Sequence, residues 1–530
     1  MGGGLMYLID GQYEVQRTVD RKGTSSYYTN RDGLAVIRDF LQELGGGEYR
    51  RGGVIMDPFA GSGGVTLSAI NDLVKPRKVV AIEINEGPCE LTRRILSSLY
   101  SDVEVICGDA FKVAWRYKAD VIVTNPPFVR WHLVRNRDEL LSMMDSMGYG
   151  KLIVRRDPGL HVLSFFLIDH VLRDGGYAIL VIPASTFYTE QGEGVKRLLK
   201  LRYDVIGLVE NRMGPSFSDG SGFKELIIFI KKRDGLLSFI DSSGIETNIY
   251  YYEGSLRRIG TVKLHKLPAF ADRNWLSLFN YDRASRLISI IEEALDNGLL
   301  RYLGRHEIVR GGVEMYGPDF FFIPNRYWRI IEESRDYVVI ANNNEQLELP
   351  RRHLIPCLRR PEYYEDEVLI RDPGFYVFAI SDEPGGDALR YVKWGGEELK
   401  VPALKFGNKW YRHVWMQLRS KMPFGHVFIH DKVDLARHKI IANYSSKPLC
   451  ASKNFYIIRT DNPMIVAWYN STIFREILTV FGRKISQTWT RLLEEDYLEI
   501  PIPSKIINID LHNINNINNI INEYFIINKL

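Results

Sequence analysis

The residues best suited to chemistry in this 530-residue chain open with Asp57-Pro58-Phe59-Ala60-Gly61-Ser62-Gly63-Gly64, between an apolar run and a helical pattern. Glycines here let the backbone turn tightly and approach a nucleotide-like ligand at the carboxyl edge of a parallel sheet. Asp57, at the strand end, suits a cationic amine such as the methionyl amine of S-adenosylmethionine. Pro58, Phe59, Ala60, Gly61 and Gly63 would form the loop around that ligand. The next apolar run ends Ala81-Ile82-Glu83-Ile84, and a carboxylate at this spacing can hold a ribose diol through two hydrogen bonds. A third ends Cys107-Gly108-Asp109-Ala110-Phe111, where Asp109 can accept from an adenine amine. Taken singly, such acids are more often helix caps or solvated strand ends. Three of them on three successive strand ends form a coherent pocket.

A second chemistry is written in Asn125-Pro126-Pro127-Phe128. An exocyclic amine conjugated to an aromatic ring has a delocalised lone pair and is a poor nucleophile. The side-chain oxygen of Asn125 and the carbonyl of Pro126 can accept both amine hydrogens and pull the nitrogen toward tetrahedral geometry, aiming its lone pair at a methyl group. Two prolines stiffen the loop, so catalysis here is positioning rather than strong-base chemistry. Phe128 can stack on an extruded base. No metal is needed for such a transfer.

These loops require a scaffold, and the first 235 residues or so supply its pattern. Strand-like runs at Gly53–Asp57, Val79–Ile84, Val103–Asp109, Asp120–Asn125, Tyr177–Pro183, Asp204–Glu210 and Glu225–Lys232 alternate with helical patterns at Gly64–Leu73, Glu90–Leu99, His161–Leu172 and Gly194–Leu201. A further helix, Leu34–Leu44, precedes them. This is the rhythm of an α/β protein with a Rossmann-like, mostly parallel sheet. The last run follows the sixth through a Gly/Ser-rich connection rather than a helix, which predicts an antiparallel strand and a seven-stranded mixed sheet. From about Ser238 the rhythm stops, and Arg, Tyr, Phe and Pro dominate a second, mixed α+β region. The tail after Ile502 is rich in Ile and Asn, compatible with a terminal helix or an irregular extension.

Composition decides less. Hydrophobic residues make up 45% and charged residues 25%, with a net charge of +4; these are globular values that neither demand nor exclude a nucleic-acid partner. No run approaches the ~18 apolar residues of a membrane span. The first residues have neither the basic start nor the apolar core of a signal peptide, so the expected location is cytoplasmic, and the abundance of Arg, Tyr and Ile suits a thermophilic prokaryote. Four scattered cysteines (Cys89, Cys107, Cys357, Cys450) suggest buried thiols rather than a disulfide framework or a zinc site.

With these motifs in this order, residues 15 to 235 resemble the amino-group (N6-adenine) DNA methyltransferases of the gamma arrangement, of restriction–modification type. There the cofactor motifs precede NPP(F/Y) and the target-recognition domain follows both. The resemblance implies domains at 1–237 (class I methyltransferase) and 238–505 (DNA target recognition), with a tail at 506–530. Ser26-Tyr27-Tyr28-Thr29 is similar to the family's "YYTP" segment, which implies that Thr29 helps hold the cofactor's carboxylate, although Asn30 stands where proline is usual. Leu163–Asp169 looks like the helix motif that brings an aromatic, Phe165 or Phe166, near the cofactor. Phe217 falls where the family places a second aromatic against the flipped base, with Phe223 competing. Ile308 to Val313 resembles the "rG(i/v)" segment, and Trp468-Tyr469-Asn470-Ser471 with Leu498 to Pro503 the "LNS…lPiP" ending, of type II and fused type IIG enzymes. Double-stranded DNA is the implied partner, with a basic cleft between the two domains receiving it and a cognate restriction endonuclease or other defence proteins beside it.

The sequence keeps other readings open. Cytosine N4 is also an exocyclic amine. RNA and protein amine methyltransferases share NPP(F/Y), but they typically lack a large region after the methyltransferase fold. Asp387 and Glu398-Leu399-Lys400 have the loose spacing of a metal-dependent nuclease motif, one that arises often by chance.

Overall fold

The computed structural model describes residues 28–43, 53–129, 131–134, 136–235, 245–312, 316–437, 440–482, 489–506, 509, 511 and 516–527. The chain divides into two compact units, Met1–Leu267 with Ala271–Ser285, and Pro268–Phe270 with Arg286–Leu530.

The first unit is built on nine strands: β1 (Val54–Asp57), β2 (Lys78–Glu83), β3 (Val103–Cys107), β4 (Ala119–Thr124), β5 (Leu172–Pro183), β6 (Tyr203–Asn211), β7 (Glu225–Lys232), β8 (Thr247–Tyr252) and β9 (Leu256–Val262). Their order is β3-β2-β1-β4-β5-β7-β6-β8-β9. Strands β1 to β5 run parallel, and β7 enters antiparallel to both β5 and β6. Around them lie α1 (Arg31–Glu43), α2 (Val65–Ala69), α3 (Glu86–Leu99), α4 (Arg137–Ser146), α5 (Leu160–Val171) and α6 (Glu193–Arg202).

The central strands are apolar throughout because both of their faces are buried. Successive side chains point to opposite faces, and the two cores show it. Met56, Ile82, Ile122, Leu180 and Ile182 join Phe165 and Phe166 of α5 in one. Ile55, Ala81, Val121, Val123 and Val181 join Val36, Ile37 and Phe40 of α1 in the other.

The sheet has nine strands where the sequence predicted seven. Thr247–Tyr252 pairs parallel with β6 and buries Ile249 in one core and Tyr250 and Tyr252 in the other, so β6 is covered rather than left as an edge. The expected boundary at 237/238 lies outside the described residues, and the sheet continues beyond it.

The cysteines also differ from expectation, being joined as Cys89–Cys107 and Cys357–Cys450. Elements distant in sequence bring each pair together. Cys89 on α3 packs beside the end of β3, with Cα atoms 5.5 Å apart. Cys357 and Cys450 are directly opposed in neighbouring parallel strands.

The second unit contains a seven-stranded sheet, in the order Ile308–Arg310, Phe455–Ile458, Phe424–His430, Ala442–Ala451, Leu354–Leu358, Tyr376–Phe378, Phe322–Ile323. The sequence segments resembling recognition-domain signatures act here as struts. Asn470 accepts from the backbone of Ile441 at 2.7 Å and Ala442 at 3.1 Å, and donates to Ala442 O at 2.8 Å. Ser471 caps the following helix, Thr472–Phe481, by accepting from Phe474 N. Ile502–Pro503 pairs antiparallel with Leu300–Arg301. Val313 lies outside the described residues, as do Ser26 and Tyr27 of the first unit. The Ile/Asn-rich tail contains a helix, Ile517–Ile527. Among the described residues no helix is long and apolar enough to cross a membrane.

Candidate functional site

Strand order reverses between β1 and β4, the place where open α/β sheets leave a crevice outside their carboxyl ends. A cavity of about 370 Å³ opens there, lined among others by Thr29, Asp57, Glu83, Asp109 and Asn125. Pro58, Phe59, Ala60, Gly61, Ala110 and Pro127 line it too.

Asp57 ends β1 and is 0% exposed. It accepts from Phe59 N at 3.0 Å and from the hydroxyls of Thr66 and Thr124. Burial nevertheless wins over these bonds and pushes its carboxyl up to about 6. Glu83 ends β2 and is 7% exposed. Its Oε2 accepts from Gly61 N at 3.0 Å and its Oε1 from Asn85 N at 2.8 Å, tying the second strand end to the glycine loop. Burial raises this carboxyl as well. Asp109 lies two residues past the end of β3 and caps the short helix Ala110–Val113 by accepting from Phe111 N at 3.0 Å. Ile84, next to Glu83, lines the same cavity while 59% exposed and adds an apolar face there.

The loop glycines do different jobs. Gly61 sits at φ 64°, and a Cβ there would come within 2.7 Å of the Tyr28 ring. Glycine is therefore required for both conformation and space. Gly63, at φ 78°, does not line the cavity. A Cβ there would meet Ile95 of α3 at 3.2 Å, so this glycine lets the loop pack against the helix.

Asn125 follows β4 and is held by its amide nitrogen, which donates to Ser218 Oγ at 2.9 Å and to Thr29 Oγ1 at 3.4 Å. Pro126 is buried beside it. Phe128 faces a second cavity, also of about 370 Å³, lined by Trp131, His161, Ser185, Gln191 and Phe223 among others. Phe128 and Phe223 meet edge to face, with ring centroids 6.4 Å apart. His161 is kept neutral at ordinary pH, since burial pushes its pKa down to about 4.

Some expected residues lie elsewhere. Phe217 is 0% exposed and packs against Tyr252 in the core. Its backbone amide is taken by Glu225, so Phe223 is the aromatic that joins Phe128. Phe165 and Phe166 are also core, beside Tyr203 and Tyr149 respectively. Asp387 accepts from Glu348 N and pairs with Arg390 at the start of its helix. Among the described residues no three His, Cys, Asp or Glu side chains are grouped to hold a metal ion.

Sequence reasoning missed part of the first cavity. Leu133, Val134, Asn136, Leu140 and Met143, from α4 and the turn before it, line one side. Their segment carries no motif, and only the fold brings it over the strand ends. Ser218 and Glu225, behind Asn125, were equally silent, being ordinary residues of a Gly/Ser-rich connection and a strand start.

A sheet of this order, with a glycine loop after its first strand and a cavity at the carboxyl ends, is the class I methyltransferase fold. The family model described as N-6 DNA Methylase matches residues 13–249. Among solved structures, the type IIG restriction endonuclease BpuSI is 14% identical, with a TM-score of 0.43 over 98% of this chain and 62% of that one. The type IIL restriction–modification enzyme MmeI, in complex with DNA, is 14% identical, with a TM-score of 0.41 over 94% and 66%. The methyltransferase subunit of a type I restriction–modification system from Streptococcus thermophilus is 18% identical, with a TM-score of 0.36 over 46% and 50%. The matches thus span less than two thirds of each of these solved chains. No curated protein matches the sequence.

Proposed function

We propose that this protein transfers a methyl group from S-adenosylmethionine to the N6 amine of an adenine turned out of duplex DNA. The observation that carries the reading is the placement of Asn125 and Pro127 on the wall of the cavity that Asp57, Glu83 and Asp109 enclose.

The cavity's residues fit the cofactor. Its volume lies in the range of about 300–1,000 Å³ typical of small-molecule sites. The Asp57 carboxylate suits a cationic amine, Glu83 a ribose diol and Asp109 an adenine amine, with Ile84 offering an apolar face to the purine. Thr29 sits where it would reach the carboxylate end. Gly61 leaves open the space that a Cβ would fill. The bound cofactor supplies a methyl group activated by its sulfonium.

The chain's own residues do the rest. Asn125 Oδ1 and the Pro126 carbonyl accept the two amine hydrogens, localise the lone pair and orient it. The stiff Pro126-Pro127 pair keeps these acceptors preorganised, the largest contribution a site without a strong base can make. Phe128 and Phe223 hold the extruded base, and the cost of unstacking it is a few kcal/mol. The methylated nitrogen then loses a proton to solvent.

A duplex partner is supported by the second unit. Residues 400–430 contain Lys400, Lys405, Lys409, Arg412, Arg419 and Lys421 and no Asp or Glu. Lys405, Phe406, Lys409, Arg419 and Lys421 are exposed, with Lys409 paired to Glu383 and Lys405 over the Tyr316 ring, basic side chains among aromatics of the kind that meet phosphates. In a prokaryotic cytoplasm such an enzyme would work in a restriction–modification setting, with 238–505 as its recognition region and a nuclease or other defence protein as partner.

The test is to incubate the protein with methyl-tritiated S-adenosylmethionine and duplex DNA, RNA or a protein mixture, then identify the labelled product. N6-methyladenine in DNA is expected. N4-methylcytosine would overturn the choice of base, and label confined to RNA or protein would overturn the choice of substrate.

A further inference from the structure

We propose that Ser218 and Glu225 are positioning residues that set which end of the Asn125 amide meets the substrate, an inference that rests on the function proposed above. The three side chains form one buried chain. Asn125 Nδ2 donates to Ser218 Oγ at 2.9 Å. Ser218 Oγ donates to Glu225 Oε2 at 2.8 Å, and the same carboxyl oxygen accepts from Phe217 N at 2.8 Å. Ser218 is 2% exposed and Glu225 is 0% exposed.

The direction of these bonds follows from counting hydrogens. An ionised Glu225 has no hydrogen to give, so its Oε2 accepts from both Phe217 N and Ser218 Oγ. Ser218 has one hydroxyl hydrogen, and Glu225 Oε2 takes it. Toward Asn125 the serine oxygen is therefore an acceptor only, and Asn125 must present its NH2 end. A flipped amide would set oxygen against oxygen at this distance and turn a donor toward the substrate's own N–H groups. With the nitrogen end fixed, it is the carbonyl oxygen that meets a substrate amine. Hydrogen bonds in series polarise one another, so the buried carboxyl also strengthens that oxygen as an acceptor.

The backbone holds the chain in place. Thr29 and Ser218 form a bridge between two otherwise separate segments, flanked by Asn30 N to Phe217 O and Asp219 N to Tyr28 O, both at 2.8 Å. These bonds use backbone atoms, which a side-chain substitution at Ser218 retains. Thr29 Oγ1, 3.4 Å from the same amide nitrogen, closes the other side. Glu225 opens β7, where the next five residues are buried hydrophobics. Strand packing alone gives no reason for a carboxyl at that position.

The experiment compares Ser218→Ala and Ser218→Thr with the wild-type protein, measuring kcat, KM for duplex DNA, cofactor affinity by calorimetry and the thermal midpoint. Ser218→Ala should lower kcat on the order of tenfold to a hundredfold while cofactor affinity and KM stay near wild type. Ser218→Thr, which restores the hydroxyl, should recover most of the loss. If Ser218→Ala fails to fold, Glu225→Gln takes its place, and kcat should fall with cofactor affinity held. Active wild-type protein with an unaffected Ser218→Ala kcat overturns the positioning role alone. A loss of kcat matched by an equal loss of cofactor affinity, or no recovery with threonine, also overturns it. Wild-type protein that methylates nothing overturns the proposed function, and this role with it.

Discussion

At the residue scale the site is a set of buried polar groups whose bonds leave little freedom. Asp57 shows the balance. Its carboxyl receives three hydrogen bonds, yet burial pushes it up to about 6. A raised carboxyl pKa means that the ligand-free fold favours the neutral form, so stability is fullest below the ordinary carboxylate range and is lost as pH rises toward 6. Binding a cationic amine requires the ionised form and must take up the opposite cost. Cofactor affinity should therefore be flat above pH 6 and fall by up to about tenfold per pH unit below it, and Asp57→Asn should remove that dependence. Calorimetric titration from pH 5 to 8 measures this, and an affinity constant over the whole range would contradict the role given to Asp57.

At the element scale, function sits where strands end, and the sequence was most legible there. The βα rhythm marked β1 to β7, and the acids closing the first three strands could be read because a parallel sheet brings such ends together. Legibility failed where tertiary context overrode pattern. The helix expected at Gly64–Leu73 is only Val65–Ala69, because Gly63 and Gly64 have positive φ and the chain turns after Ala69. Strands β8 and β9 escaped because their aromatic and Arg-rich residues resemble those that follow. Phe217 was misplaced because an aromatic in a connection gives no sign of which core it enters. The glycine loop itself can be tested. Gly61→Ala meets Tyr28 at 2.7 Å at a φ of 64°; such strain costs about 1–3 kcal/mol and should lower both the thermal midpoint and cofactor affinity. Gly87→Ala, on the exposed first turn of α3 with nothing within 4 Å, should be neutral or slightly stabilising. Equal effects of the two substitutions would argue against the account of the loop.

At the scale of the whole molecule, the two units were unequally legible. The first repeats a short rule, whereas the second builds its sheet from strands as short as Phe322–Ile323 and as long as Ala442–Ala451, joined in an order no local pattern announces. The disulfides belong here as well, since Cys357 and Cys450 meet only once distant strands have paired. What could be read from the second unit is charge. If the acid-free stretch 400–430 meets phosphates, duplex binding should weaken steeply with salt. Replacing Lys405, Lys409, Arg419 and Lys421 by alanine should then lower affinity for all sequences alike and reduce the salt slope by about one for each phosphate left without its cation. A slope unchanged by the four substitutions would place the duplex on another surface.

The claim on which everything else depends is that Asn125 activates an exocyclic amine beside a bound methyl donor. The most direct measurement pairs Asn125→Ala with wild type, recording calorimetric affinity for S-adenosylmethionine and tritium transfer into duplex DNA in the same preparations. The account predicts cofactor affinity close to wild type and transfer lost. Transfer that survives the substitution would contradict it.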